Sequence, residues 1–355
     1  MESRFACALV LLWGAAGAGG CGDFPEAPWV LRAEPRLLGF RVEVVEAGPN
    51  SAEGLLPIPA DRVRSQPLPG DVVELSAFVA SSDGEIPTAA IDPVWLLCPV
   101  GPCLSVLNEP GARDACGDLV PERLPCLLPA GETSRFVAPN FDPALAFEEQ
   151  VGFRVALVGH STDDTTTSDC LDRMGDRSKP RWDGCVAGYF GLTYGPTTRV
   201  LKAALEAGIE VTGEDFEPED LDFPVAPLFN PESVPLVIEP TEVEVSFFGA
   251  NKFVATSDAV TVLEAGAAYS ILEAIDPRDA QTLVGLGGDG VVRRLRSSPS
   301  FSVTTDTPDT LEFRNRGDWV IHAPQTPGHF EVFVLLSGPA LGSAWSGFEF
   351  EVREP

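Results

Sequence analysis

The sequence predicts a mainly β chain folded as two β-sandwich regions, and three observations predict it. Segments of alternating or continuous apolar character recur along the chain, separated by turn signals, as sandwiches require. Glycine (34 residues) and proline (33) are abundant while methionine is nearly absent (2), a balance that yields many turns and few long helices. Hydrophobic residues make up 44% of the 355, enough for real cores and for two domains.

The chain opens with a weakly positive stretch, Met1 to Arg4, then an apolar run from Phe5 to Trp13, then the small residues Gly14 to Gly20. That order is the layout of a secretory signal peptide, and its apolar part is too short to span a bilayer. Cys21 follows directly. A lipidating transferase needs a thiol at the first mature position with small side chains before it, and Ala18-Gly19-Gly20-Cys21 resembles a bacterial lipobox, with Ala18 where that pattern prefers leucine. The expectation is a signal peptide over 1–20 and a lipid-anchored, Pro-rich tether over 21–34. Ordinary cleavage after a small residue is the alternative, and it too would export the chain. No later run reaches the roughly 18 apolar residues of a membrane-spanning helix.

The first sandwich is expected over 35–212. Leu37 to Val45 alternates and reads as a strand; Pro69-Gly70-Asp71 turns the chain into a second, Val72 to Val79; Ser82-Asp83-Gly84 turns it again, and Pro93 to Cys98 is a third. Residues 101–140 read as loop, Val151 to Val158 as strand, and His160 to Gly184 as a polar excursion between strands. Thr198 to Val211 stays open: Leu, Ala, Lys and Glu favour helix, whereas a sandwich needs a closing strand nearby. Residues 213–234, acidic and proline-rich, read as a linker to the second sandwich at 235–355. Strands are expected there at Val243 to Phe248, Ala268 to Ala274, Phe301 to Thr305, Trp319 to His322, His329 to Leu336 and Gly347 to Val352.

Of eight cysteines, Cys7 falls in the signal peptide and Cys21 is the lipidation candidate. The remaining six, Cys98, Cys103, Cys116, Cys126, Cys170 and Cys185, form an even set that reads as a disulfide framework in an oxidising compartment. Pairing in local order is expected, each bridge closing its own loop. A zinc site fits poorly, because no C-x-x-C occurs and His160, His322 and His329 are not spaced with the cysteines as ligands. No metal and no cofactor is expected.

Other constellations point to structure before chemistry. Gly285-Leu-Gly287-Gly-Asp-Gly290 fits G-x-G-x-x-G, but an apolar strand follows instead of a helix, so a glycine-rich hairpin is expected. Gly159-His160-Ser161 lacks the closing glycine and the helix of a nucleophile elbow. Asp163-Asp164 and the acids between Glu214 and Asp222 lack EF-hand spacing. The one basic spot, Arg293, Arg294 and Arg296, is explained by strand-face pairing. Trp95 and Trp319 lie in apolar strands and read as core, whereas Trp182, in a polar loop, and Trp345, in the Gly-rich turn before the last strand, are the binding candidates with exposed aromatic faces. A net charge of −29 disfavours nucleic acid and anionic lipid surfaces as partners.

Trp319-Val-Ile-His-Ala-Pro-Gln-Thr-Pro-Gly328 followed by His329 to Leu336 resembles the closing hairpin of an immunoglobulin-like module, with Phe348 to Val352 as final strand. The leader, Cys21, the strand at Arg36-Leu37-Leu38, Pro69-Gly70-Asp71 and Trp95-Leu-Leu-Cys98 are together similar to predicted secreted lipoproteins of myxobacteria. That resemblance implies an envelope protein and carries over no catalytic residues. The expected whole is an exported lipoprotein on the outer membrane or cell surface, with two immunoglobulin-like β-sandwich regions. Its expected role is non-enzymatic, binding or scaffolding a protein or glycan partner and touching the membrane only through its lipid. The rival classes are a secreted hydrolase, carbohydrate-active or other, and a calcium-dependent adhesion module.

Overall fold

The computed structural model describes residues 30–354 apart from 52–53, 99–102, 118–124, 143, 146, 148–149, 177–183, 212–220, 222–223, 233–234, 242–252, 274, 287–291, 315–317 and 339–342. The signal peptide, Cys21, Trp182, the acidic run 214–220 and the strand expected at Val243 to Phe248 therefore lie outside the described residues. What is described is mainly β, in several antiparallel sheets.

In the first sandwich, one sheet is formed by β1 (Arg36–Glu46), β2 (Val72–Ser81) and β3 (Gly84–Ile86), with β6 (Ser134–Val137) also pairing β2. The other runs β5 (Cys126–Leu127), β4 (Val94–Cys98), β7 (Gly152–His160), β8 (Cys185–Thr193). The two sheets meet because each strand buries alternate residues between them: Phe40 and Val42 of β1, Val73, Leu75, Ala77 and Val79 of β2, then Trp95, Leu97, Phe153, Val155 and Leu157 from the facing sheet. Trp95 is fully buried, crossed edge-on by Phe40 at 6.2 Å, and its indole Nε1 donates to the Gly131 carbonyl at 3.0 Å.

The back of β4 and β7 is covered too. Leu96, Cys98, Ala156 and Val158 pack beneath α1 (Thr167–Gly175), which presents Cys170, Leu171 and Met174. This explains why Val94 to Cys98 is continuously apolar instead of alternating: the strand is covered on both faces. The polar excursion 160–184 thus contains a helix. It starts at a capping box in which Thr166 Oγ1 accepts from Asp169 N and the Asp169 carboxylate accepts from Thr166 N. The region expected to be loop, 101–140, holds the short strands β5 and β6. The segment 198–211 is helix up to Glu206, as α2 (Thr197–Glu206), and turn and coil beyond it; propensity outweighs the demand for a closing strand because β8 already closes the sheet.

The three disulfides follow the local order: Cys98–Cys103, Cys116–Cys126 and Cys170–Cys185. The last ties α1 to the start of β8.

The second sandwich pairs a five-stranded sheet with a four-stranded one. The first runs β10 (Phe253–Ala255), β9 (Leu236–Pro240), β12 (Ala268–Glu273), β17 (Asp318–His322), β16 (Leu311–Arg314). The second runs β11 (Thr261–Glu264), β19 (Ser343–Arg353), β18 (Gly328–Ser337), β15 (Ser300–Thr305), with β11 and β19 parallel and the rest antiparallel. Their shared core includes Leu236, Ile238, Tyr269, Ile271, Trp319 and Ile321 from one side and Phe330, Val332, Val334, Phe348, Phe350 and Val352 from the other. A separate hairpin, β13 (Gln281–Leu286) and β14 (Val292–Ser297), occupies the place of the G-x-G-x-x-G match.

One correction concerns the Trp319 to Leu336 segment. β17 and β18 are not a hairpin but lie in opposite sheets, and the true closing hairpin is β18 with β19. Pro324 and Pro327 cannot donate to a ladder, so the chain leaves one sheet and arches to the other. Ala323 holds the start of that arch, its N–H donating to the Ala267 carbonyl at 2.9 Å.

Candidate functional site

The two sandwiches meet at a joint that neither could complete alone. On β18 the residues Phe330, Val332 and Val334 face their own core, so Glu331, Phe333 and Leu335 must face outward. Phe333 is nonetheless only 1% exposed, because β2 of the first sandwich covers it with Phe78 and Ala80, the residues that β2 turns away from its own core. Phe78 lies 5.5 Å from Phe333 and stacks on Trp345 of β19 at 5.2 Å and 11°. Leu31 seals the cluster. Each aromatic pair adds about 0.5–1.5 kcal/mol beyond its burial. The close approach requires Gly39 on β1, since a Cβ there would sit 2.7 Å from Leu335 Cδ1.

The polar half of the joint is built around Arg62, whose side chain is 1% exposed. Its Nε donates to Asp279 at 2.7 Å, Nη1 to Asp61 at 3.0 Å and to Glu232, and Nη2 to Asp276 at 3.2 Å. Arg278 closes the ring by donating to Asp276 at 2.6 Å and to Asp61 at 3.1 Å. Burial alone would lower Arg62; its hydrogen bond to Asp279 and the charges of Asp279, Glu232 and Asp61 outweigh that and raise it. Burial pushes the Asp279 carboxyl up against the pull of Arg62. The segment after Leu221, within the stretch read as linker, laces the same region. Ser65 N donates to the Leu228 carbonyl at 3.0 Å and Asn230 N to the Val63 carbonyl at 2.9 Å. The Gln281 amide grips Phe229 twice, accepting from its N–H at 2.8 Å and donating to its carbonyl at 2.9 Å.

A third group of side chains gathers beside the aromatic stack. Glu331 on β18 is in register with Glu349 on β19, Asp306 follows β15, and Glu85 comes from β3 of the other sandwich. Asp306 Oδ1 accepts from Glu331 N at 3.0 Å. A Cβ on Gly84 would lie 3.2 Å from Glu331 Oε2, and one on Gly347 would collide with Oε1, so glycine makes room for this carboxylate from both modules. Burial, then the charges of Asp306, Glu349 and Glu85, push Glu331 up to about 7.

A cleft of about 260 Å³ opens at the edge of the joint, lined by Arg41, Asp61, Arg62, Asn230, Glu232 and Trp345 among others. Trp345 therefore lies not in a turn before the last strand but inside β19, half-buried, with one face taken by Phe78. Trp182 and Cys21 lie outside the described residues. Ser161 donates its N–H to the Gly184 carbonyl, and His160 Nδ1 lies 3.2 Å from the Thr162 carbonyl, an ordinary turn arrangement. His322 meets Glu312 at 2.9 Å on the surface of the other module. Among the described residues no group of His, Cys, Asp or Glu is placed to hold a metal ion.

Phe78, Phe333 and Arg62 escaped sequence reasoning. The signal was present in β2 and β18, where Ala77 to Ala80 and Val332 to Leu336 are unbroken apolar runs, as a strand covered on both faces requires.

Fold and joint together define a two-module β protein with a buried, mixed apolar and ionic interface between its sandwiches. No protein-family model and no curated protein matches the chain. Among solved structures, dimeric latent PorU from Porphyromonas gingivalis is similar over 89% of this chain and 24% of that one, at 9% sequence identity and a TM-score of 0.19. The chain spans about a quarter of that protein's length. A superposition this loose carries no argument about activity.

Proposed function

We propose that this is an exported, lipid-anchored binding or scaffold protein of the bacterial envelope, which holds a protein or glycan partner through two immunoglobulin-like modules without transforming it. The joint carries the reading. Two sandwiches fixed to one another by an aromatic stack and a buried arginine present their loops in a set relation, which a scaffold needs. Two observations support the immunoglobulin-like character: β9, β12, β17 and β16 form one sheet while β19, β18 and β15 form the facing one, and a tryptophan, Trp95, is fully buried on β4 of the other sandwich. The glycan form of the proposal is supported by the cleft that Trp345 lines together with Arg41, Asp61 and Glu232. Trp182 is proposed as a second contact.

The address is tested by mass spectrometry of the mature N-terminus with cell fractionation. The expected result is a diacylglyceryl-modified Cys21 in the membrane fraction, and release of the protein by Cys21→Ser. An uncleaved Met1, or a membrane location indifferent to Cys21, would overturn the anchoring. The binding role is tested by photo-crosslinking in intact envelopes from positions beside Trp345. A stoichiometric partner lost in Trp345→Ala supports it; turnover of envelope glycan by the purified protein sinks it.

A further inference from the structure

We propose that the joint between the two sandwiches is a proton-operated clasp: Glu85, Asp306, Glu331 and Glu349 converge on it from both modules, so shared protons hold the modules together in acid and their loss loosens them. The inference goes beyond the binding role and does not depend on any partner.

The geometry places Glu331 at the centre. It projects from the outward face of β18, one residue pair from Phe333, the side chain that Phe78 covers. β19 faces it with Glu349, its register partner, and with Gly347, whose missing side chain leaves the carboxylate its space. Asp306, just after β15, has its carboxylate already engaged with the Glu331 N–H and with Thr307 Oγ1 at 2.9 Å. Across the joint, β3 contributes Gly84 and Glu85. The charges acting on Glu331 are all negative. Among the cations on the surrounding elements, Arg353 pairs with Glu351, His329 acts on that same Glu351, and burial, then the charge of Arg32, lower Arg36 of β1. Glu85 is itself pushed up by burial. When the joint opens, Glu331 regains water and distance from Glu85, so the closed form binds the proton more tightly than the open one.

The sign follows. A carboxyl raised from 4.5 to about 7 in the closed state favours closure fully below about 4.5, and that preference is lost as pH rises through about 7. Glu331 is half-buried, so screening reduces the effect, and a change in the opening equilibrium on the order of tenfold is expected between pH 5.5 and 8.

Amide hydrogen exchange on the full chain reads the joint through Leu31, whose N–H donates to Thr305 across it at 2.8 Å, and through the peptides covering β3. After correction for intrinsic exchange, protection there is expected to fall about tenfold from pH 5.5 to 8, while β4 and β7 in the first core stay constant. Glu331→Gln is expected to abolish the pH dependence and keep the high protection. Glu85→Gln, on the opposite module, is expected to weaken the dependence, and serves as the independent variant if the first fails to fold. Equal protection at both pH values in the wild type, or an undiminished pH response in both variants, overturns the proposal.

Discussion

Asp71 has no exposed surface, yet four groups converge on its carboxylate: the N–H groups of Gly48 and Leu68, each at 2.6 Å, Ser51 Oγ at 2.7 Å, and the guanidinium of Arg64. Burial lowers Arg64 to about 10, which leaves it cationic at neutral pH as the counter-charge. The carboxylate thus pins the loop after β1 to the turn before β2. Asp71→Ala strands a buried arginine and several donors, so it should cost about 3–5 kcal/mol in urea unfolding, whereas an exposed acid such as Asp163 changed to alanine should cost less than about 0.5 kcal/mol. Arg62→Ala should be similarly severe, for it leaves the buried Asp279 without its partner. At this scale the sequence was half legible. Pro69-Gly70-Asp71 announced a turn through composition, but nothing local distinguishes the aspartate that caps its own turn from one that also neutralises an arginine seven residues before it. Such pairings are fixed by burial, which only the assembled sheets create.

Elements were the most legible level. Where one face is core and the other open, alternation locates the strand, as for β15. Where both faces are covered, apolar runs still mark a strand but conceal what lies on its second face. α1 shows the limit. Its segment is polar enough to read as loop, and it becomes a helix because Cys170, Leu171 and Met174 find an apolar bed on β4 and β7 while the Thr166 and Asp169 pair caps its first turn. The Cys170–Cys185 bridge closes a loop of 15 residues. Replacing both cysteines by serine should lower stability by about 3 kcal/mol and open the α1 region to proteases before the rest of the chain, which limited proteolysis with mass mapping would detect. Unchanged cleavage order would show that packing alone holds α1.

For the whole molecule, two sandwiches could be predicted from spacing and turns, but their joint could not, because it is made from residues far apart that each look like surplus hydrophobicity. Phe78→Ala removes the ring that touches both Phe333 and Trp345 and should cost about 3–5 kcal/mol. In calorimetry the wild type should unfold its modules together, and Phe78→Ala should split the trace into two transitions; a single transition in the variant would mean that the Arg62 network alone couples them. The joint also governs how the chain would carry tension. Val30 and Leu31 are seated on β15 of the distant sandwich, through the bridge to Thr305, although the neighbouring sandwich follows them in sequence. A pull arriving through the residues before Val30 would therefore load the far module first, in shear along β15, and the near one would feel it only after that seat had given way.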